Sequence, residues 1–353
     1  MPRPPAIVRD AVLVIALTFT LVELVLRLVP TLVGDPLKSM IEEAEKVPYS
    51  NRRIFNGFHG GVRRLLPPLM KTDILVVGDS FVFGSYVKEE DIFTSLLERG
   101  LGKRVLNLGV GGTGPVQYNR MVEVGMAYEP STVIYGVFAN DFSYDAHPKI
   151  QPLKTYTGRK QEYDDDLFTA SLRPNERAAH LLKWVTNLSL QYQFYKTFAQ
   201  PSARFHTIPW RWKGHFFMFP TKEYWDPYIS YGNRNVREGV EINRELAGAA
   251  ASFAQGAKKR FWLVLFPSKE MVYAPLDPLM GPKIFSEVQY QSYEVLAREL
   301  KADGVSVFDT TPDLRRLAAE GKKLYHSIDG HFNELGHAEV ARLLAGLIRT
   351  PGS

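Results

Sequence analysis

An α/β fold built on a parallel sheet, in a three-layer α/β/α arrangement, is what this 353-residue chain predicts. Three observations lead there. Short β-branched runs at 73–77, 104–108 and 132–138 suit buried strands, and stretches with apolar residues at helical spacing separate them. Each run then stops at a polar or glycine-containing motif: Gly78-Asp79-Ser80, Gly109-Val110-Gly111-Gly112 and Ala139-Asn140-Asp141.

In chain order, residues 11–29 come first. They are apolar except for Thr18, Thr20, Glu23 and Arg27, and 19 helical residues rise about 28 Å, close to the hydrocarbon thickness of a bilayer. The segment predicts a signal anchor, with a cleaved signal peptide as its rival, although no small-x-small site follows. Arg3 and Arg9 precede it, so the N-terminal tip stays in the cytoplasm, the anchor sits in the inner membrane and the bulk of the chain faces the periplasm or the outside. Residues 1–33 thus form tip and anchor, and 34–70 a juxtamembrane linker. Residues 71–349 form the main domain, interrupted by an insertion at about 143–234.

Within that domain, helical spacing covers 89–99 and 115–128 between the first three strands. The second half resumes with a helix at 236–255, a strand at 261–266, a helix at 285–300, a strand at 305–308 and a last helix capped by Asn333. The insertion holds the Asp164-Asp165-Asp166 run, a helical stretch at about 175–198 and an aromatic tract with Trp210, Trp212, Phe216, Phe217, Phe219, Tyr224 and Trp225. It follows a strand end directly, so it reads as a lid, an acceptor-binding wall or a membrane-contacting surface, or else as a small subdomain with its own aromatic core.

The chemistry sits at the strand ends, which form the ligand crevice of open parallel sheets. A serine in the sharp turn after a buried strand is lifted out of the sheet, and the helix after it would aim N–H groups at an oxyanion. Asp329 and His331, two residues apart in an extended segment, point to one side, so the carboxylate can orient the imidazole that takes the serine proton. The glycine loop supplies backbone donors and Asn140 an amide donor. Asp79 reads as a turn-fixing carboxylate, His337 as a packing or capping residue of the last helix, and His326 as a weaker base than His331. Lys269, after Pro267-Ser268, reads as solvated rather than as an anion contact.

These blocks resemble the SGNH/GDSL hydrolase superfamily over roughly residues 71–142 and 258–349. The resemblance implies a flavodoxin-like SGNH sandwich with Ser80 as nucleophile, His331 as base and Gly109 and Asn140, with the Ser80 N–H, as the oxyanion hole. The superfamily's usual acid stands three residues before the histidine, a place held here by Ile328. Asp329 stands two before, a spacing similar to that of alginate-type O-acetylation proteins. Ester hydrolysis through Ser80, His331 and Asp329 is the first expectation. Acyl or acetyl transfer to a cell-envelope glycan is the alternative, and a non-catalytic or glycan-binding protein on the same fold is a third. A metal held by Asp79, Asp141, Asp329 and His331 is a further reading, but the resemblance implies no metal or organic cofactor.

Composition agrees with these limits. With 45% hydrophobic residues the chain can bury a sizeable core, and without cysteine it can form neither disulfides nor thiolate metal sites. A net charge of +5 from scattered basic residues mildly favours an anionic membrane surface and gives no footprint for nucleic acid. The expected partners are an O-acylated small molecule or glycan, and the membrane through the N-terminal helix.

Overall fold

The structure is a computed structural model that describes residues 70–142, 207–285 and 287–349, with residues 14, 17–22 and 24 near the N-terminus. Its elements in order are β1 (Ile74–Val77), α1 (Ser80–Phe83), α2 (Phe93–Leu101), β2 (Val105–Asn107), α3 (Pro115–Gly125), β3 (Thr132–Phe138), β4 (Thr207–Trp212), β5 (His215–Pro220), α4 (Lys222–Ile229), α5 (Arg234–Gly256), β6 (Arg260–Phe266), α6 (Lys269–Tyr273), α7 (Gly281–Ile284), α8 (Glu287–Ala302), β7 (Val307–Asp309), α9 (Thr311–Ala319) and α10 (Glu334–Arg349).

Five strands form one sheet in the order β2-β1-β3-β6-β7, every pair parallel. Strand order reverses between β1 and β3, because the chain moves outward to β2 and then returns past β1. Right-handed crossovers therefore place α2 on one face and α3, α5 and α8 on the other. The packing agrees: α2 lies against α10, while α5 lies against α3 and α8. With helices on both faces, strands read as continuous apolar runs rather than alternating ones. Ile74, Leu75, Val76 and Val77 are all completely buried, which is why the first run carried so clear a strand signal.

Differences from the sequence expectation lie mostly at element ends. The helix expected at 89–99 is broken at Ile92, whose backbone is extended, so a 3-10 turn at Glu89–Asp91 precedes α2. Ile92 is pulled inward against Gly84: a Cβ at Gly84 would lie 2.1 Å from Ile92 Cγ2. The helix expected from 285 starts at Glu287, because Phe285 is extended and caps α7. The helix expected after Ser80 is only one turn, stopped at Gly84 with φ 76°.

The described part of the aromatic tract packs on the main core rather than forming a core of its own. It is an antiparallel hairpin, β4 with β5, whose Trp210, Phe217 and Phe219 join the main core. The Phe217 ring lies tilted against Tyr273 with centroids 4.6 Å apart, Trp210 Nε1 donates to Asp277, and Trp212 Nε1 to the Ala318 carbonyl. The side chains of Tyr224 and Trp225, the Asp164-Asp165-Asp166 run, the stretch at 175–198, the linker and most of the expected anchor lie outside the described residues. Among the described residues no helix is long and apolar enough to cross a membrane.

Candidate active site

Ser80 opens α1 at the C-terminal end of β1, beside the point where strand order reverses, the place where ligands bind in open α/β sheets. Its turn is fixed by Asp79, whose Oδ1 accepts the Phe81 N–H at 2.9 Å. Asp79 is 1% exposed, and burial pushes its carboxyl up, against the pull of the Phe81 N–H and of His331. Gly136 of β3 makes room for α1 to sit low: a Cβ there would meet Val82 Cγ2 at 2.8 Å. Ser80 is thus held close above the sheet edge.

His331 comes from a loop closed at its base by a bridge between Tyr325 and Phe332. Its Nε2 lies 2.7 Å from Ser80 Oγ, and its Nδ1 lies 2.5 Å from Asp329 Oδ1. That same Oδ1 also accepts the His331 backbone N–H at 2.8 Å. Burial alone would lower the His331 pKa and raise that of Asp329, but their mutual attraction outweighs it. His331 is raised, with Asp79 adding to the effect, and Asp329 is held well below the usual carboxylate range. Both side chains keep a rim of solvent access, 22% and 25%. The rings of Phe81 and Tyr86 flank the imidazole at 4.9 and 5.9 Å.

Asn140 lies in the 3-10 turn after β3 and, with Ser80 and His331, lines a cavity of about 250 Å³. Its Oδ1 is buried without a hydrogen-bond partner, leaving the Nδ2 hydrogens as this side chain's donors. Phe81, Phe138, Pro220 and Ile328 make the apolar wall, and Ser268 and Glu270 the polar one. Glu270 is 3% exposed, and its carboxyl is pushed up by burial against the attraction of Lys269.

Two expectations are corrected here. Gly109 does not offer its N–H to the site, because that hydrogen is donated to Asn107 Oδ1 at 2.8 Å. Asn107 in turn donates to the Val82 carbonyl, so Gly109 braces α1 from behind. Gly111 is the glycine beside Ser80: a Cβ on it would lie 3.6 Å from Ser80 Cβ. No acceptor is found for the Gly111 or Gly112 N–H among the described residues. Lys269, expected in solvent, is 1% exposed. Its Nζ donates to backbone carbonyls of the His331 loop.

Asp141 is fully buried and accepts from Tyr118 OH and the Phe138 N–H, both at 2.9 Å. His337 Nδ1 accepts the Phe93 N–H at 3.3 Å, the packing role expected of it. Asn333 Oδ1 caps α10 by accepting the Gly336 N–H. Among the described residues no group of three or more His, Asp or Glu side chains is arranged to hold a metal ion.

Residues 228–352 match the SGNH hydrolase-like domain of the acetyltransferase AlgX. No curated protein matches the chain. Among solved structures, the acetyl xylan esterase AlAXEase aligns at TM-score 0.43 and 10% identity, covering 78% of this chain and 99% of that one. A catalytic mutant of Axe2, an acetylxylan esterase from Geobacillus stearothermophilus, aligns at 0.39 and 12%, covering 80% and 97%. The M. smegmatis aryl esterase in its inhibitor-bound form aligns at 0.36 and 14%, covering 79% and 98%. In its motif order and in the match of residues 228–352, which include Asp329 and His331, this chain is similar to the SGNH/GDSL hydrolase superfamily and, within it, to the AlgX acetyltransferase domain.

Proposed function

We propose that the chain is a serine-dependent enzyme acting on O-acyl esters, with hydrolysis as its first reaction. The observation that carries this reading is the unbroken hydrogen-bonded chain from Ser80 Oγ through both nitrogens of His331 to Asp329. Ser80 Oγ attacks the ester carbonyl while His331 Nε2 takes its proton, and the charge forming on the ring is stabilised by Asp329. His331 then returns the proton to the leaving alcohol. Water resolves the acyl-enzyme, with His331 again as base.

The oxyanion falls to the Ser80 N–H, the Asn140 amide and the Gly111–Gly112 peptide, in place of Gly109. Each such donor is worth about 3–4 kcal/mol of barrier. Replacing Ser80 by Ala tests the reading: p-nitrophenyl acetate turnover and covalent labelling by a fluorophosphonate should both be lost. Undiminished turnover in that variant would overturn it.

Acetyl transfer to a cell-envelope glycan is the second reading, favoured by the match to the AlgX acetyltransferase domain. The two readings differ only in whether water or a sugar hydroxyl meets the acyl-enzyme. Supplying an acetyl donor with candidate oligosaccharides, and measuring acetate released against acetylated sugar formed, separates them. We place the enzyme on the periplasmic side of the inner membrane, tethered by residues 11–29, on the apolar length and flanking arginines of that segment.

A further inference from the structure

Lys269 has no part in the proton relay, yet it is buried at the first position of α6. An ammonium taken out of water is unfavourable unless its hydrogens find partners. Its Nζ lies 3.4, 3.2, 3.2 and 3.0 Å from the carbonyl oxygens of His326, Ser327, Ile328 and Asp329. Three hydrogens meet four acceptors, so at least one is shared. Four consecutive carbonyls turned toward one point is an arrangement whose own dipoles repel, and a cation at the centre reverses the sign of that repulsion.

The ammonium is also backed from the other side. The Phe219 ring of β5 lies 5.3 Å from Nζ, and the neighbouring Met218 N–H donates to the Ser327 carbonyl at 2.7 Å. The curled segment ends at Asp329, whose carboxylate holds His331 Nδ1.

We propose that Lys269 is the positioning residue of this site: by gathering the carbonyls of residues 326–329 it sets the loop curl that puts Asp329 behind His331 and His331 against Ser80. Its catalytic consequence rests on the serine-enzyme reading, whereas the ordering of the loop does not. A lysine that binds an anionic substrate would aim its hydrogens into the cavity, whereas the hydrogen bonds of Lys269 run to the loop.

The test uses Lys269→Met, which keeps the apolar stem, and Lys269→Ala, which opens a gap beside the cavity that Lys269 lines. In variants shown to be folded by circular dichroism, amide hydrogen exchange over 324–333 should quicken by about 10-fold or more while β3 and β6 are unchanged. With p-nitrophenyl acetate, kcat should fall by about 30-fold or more with KM within about 3-fold, as expected when reacting groups are misplaced rather than binding lost. Propylammonium should restore part of both in Lys269→Ala, whereas tetramethylammonium, which has no N–H, should not. Wild-type exchange in folded Lys269→Met, a rise in KM at constant kcat, or failure of both variants to fold would each overturn the proposal. If fluorophosphonate does not label Ser80 in the wild-type protein, the serine-enzyme reading fails, and the exchange measurement still decides whether Lys269 orders the loop.

Discussion

One methyl group added at Gly109 should displace Ser80, while the same group at Gly111 should not. An ideal Cβ on Gly109 would lie 2.4 Å from Phe83 N, 2.6 Å from the Val82 carbonyl carbon and 2.7 Å from Val82 Cγ1. Non-bonded heavy atoms sit at about 3.5 Å, so α1 must retreat by about 1 Å, and backbone rather than a flexible side chain has to move. Overpacking of this kind costs about 1–3 kcal/mol. At about 2–4 °C per kcal/mol for a domain of this size, Tm should fall by about 2–12 °C. Because α1 begins with Ser80, a shift of that size should also lower kcat by roughly 10²-fold. At Gly111 the added Cβ meets Ser80 Cβ at 3.6 Å, an ordinary contact, so Gly111→Ala should stay within about 2 °C of the parent. Differential scanning fluorimetry and p-nitrophenyl acetate kinetics on both variants decide the matter. A Gly109→Ala protein with parental Tm and kcat, or a Gly111→Ala protein that is the less stable of the two, would refute the packing assigned to this loop.

Asp329→Asn should lower kcat by roughly 10³- to 10⁴-fold. It should also move the acid limb of kcat/KM to lower pH, because the charge that raises His331 is gone while the effect of burial remains; an unmoved or raised limb counts against the pairing. Trp210→Ala should destabilise the protein by about 3–5 kcal/mol in chemical denaturation, since Trp210 is 6% exposed and bonded to Asp277. A stable variant with selectively weakened oligosaccharide binding would return it to the role of acceptor wall. Protease added to intact spheroplasts should digest the chain beyond residue 34 and leave residues 11–29 in the membrane fraction; protection of the main domain, or a mature N-terminus after residue 20, would remove the anchor.

Sequence patterns made the sheet legible because its strands are buried on both faces, so β1 and β3 appear as unbroken apolar runs ending in chemistry. Ser80, Asn140 and His331 stood out in the sequence because each follows, or is framed by, a strong local signal, and the structure brings the three to one cavity. What could not be read depends on contacts between segments distant in sequence. Gly109 and Gly111 are equivalent as letters, and only the approach of Val82 and Phe83 assigns one to packing and leaves the other beside Ser80. Lys269 carries a charge that normally marks solvent, and its burial follows from carbonyls 57 to 60 residues further along the chain. The hairpin aromatics offered large apolar area without saying what they would cover. Their partners, Tyr273, Asp277 and Ala318, lie on the far side of α5 in sequence.

Three aspartates recur in the site's motifs, and the structure gives them related work. Asp79 accepts the N–H of Phe81, Asp141 that of Phe138, and Asp329 that of His331. Each bond closes a short turn, and each turn holds the group beside it: Ser80, Asn140 and His331. A backbone bond to a carboxylate is charge-assisted and therefore stiff, which is useful where misplacement by 1 Å costs about two orders of magnitude in rate. The same charges act on the proton. Asp329 and Asp79 both raise His331, so they favour its charged imidazolium form. Asp141 accepts from Tyr118 with one oxygen and from Phe138 with the other. Asp79→Asn can keep the carbonyl that accepts from Phe81 while removing the charge. It should therefore preserve Tm within about 2 °C and shift the acid limb of kcat/KM downward by less than Asp329→Asn does. A larger shift than that of Asp329→Asn would mean that Asp79, rather than Asp329, dominates the charge felt by the base.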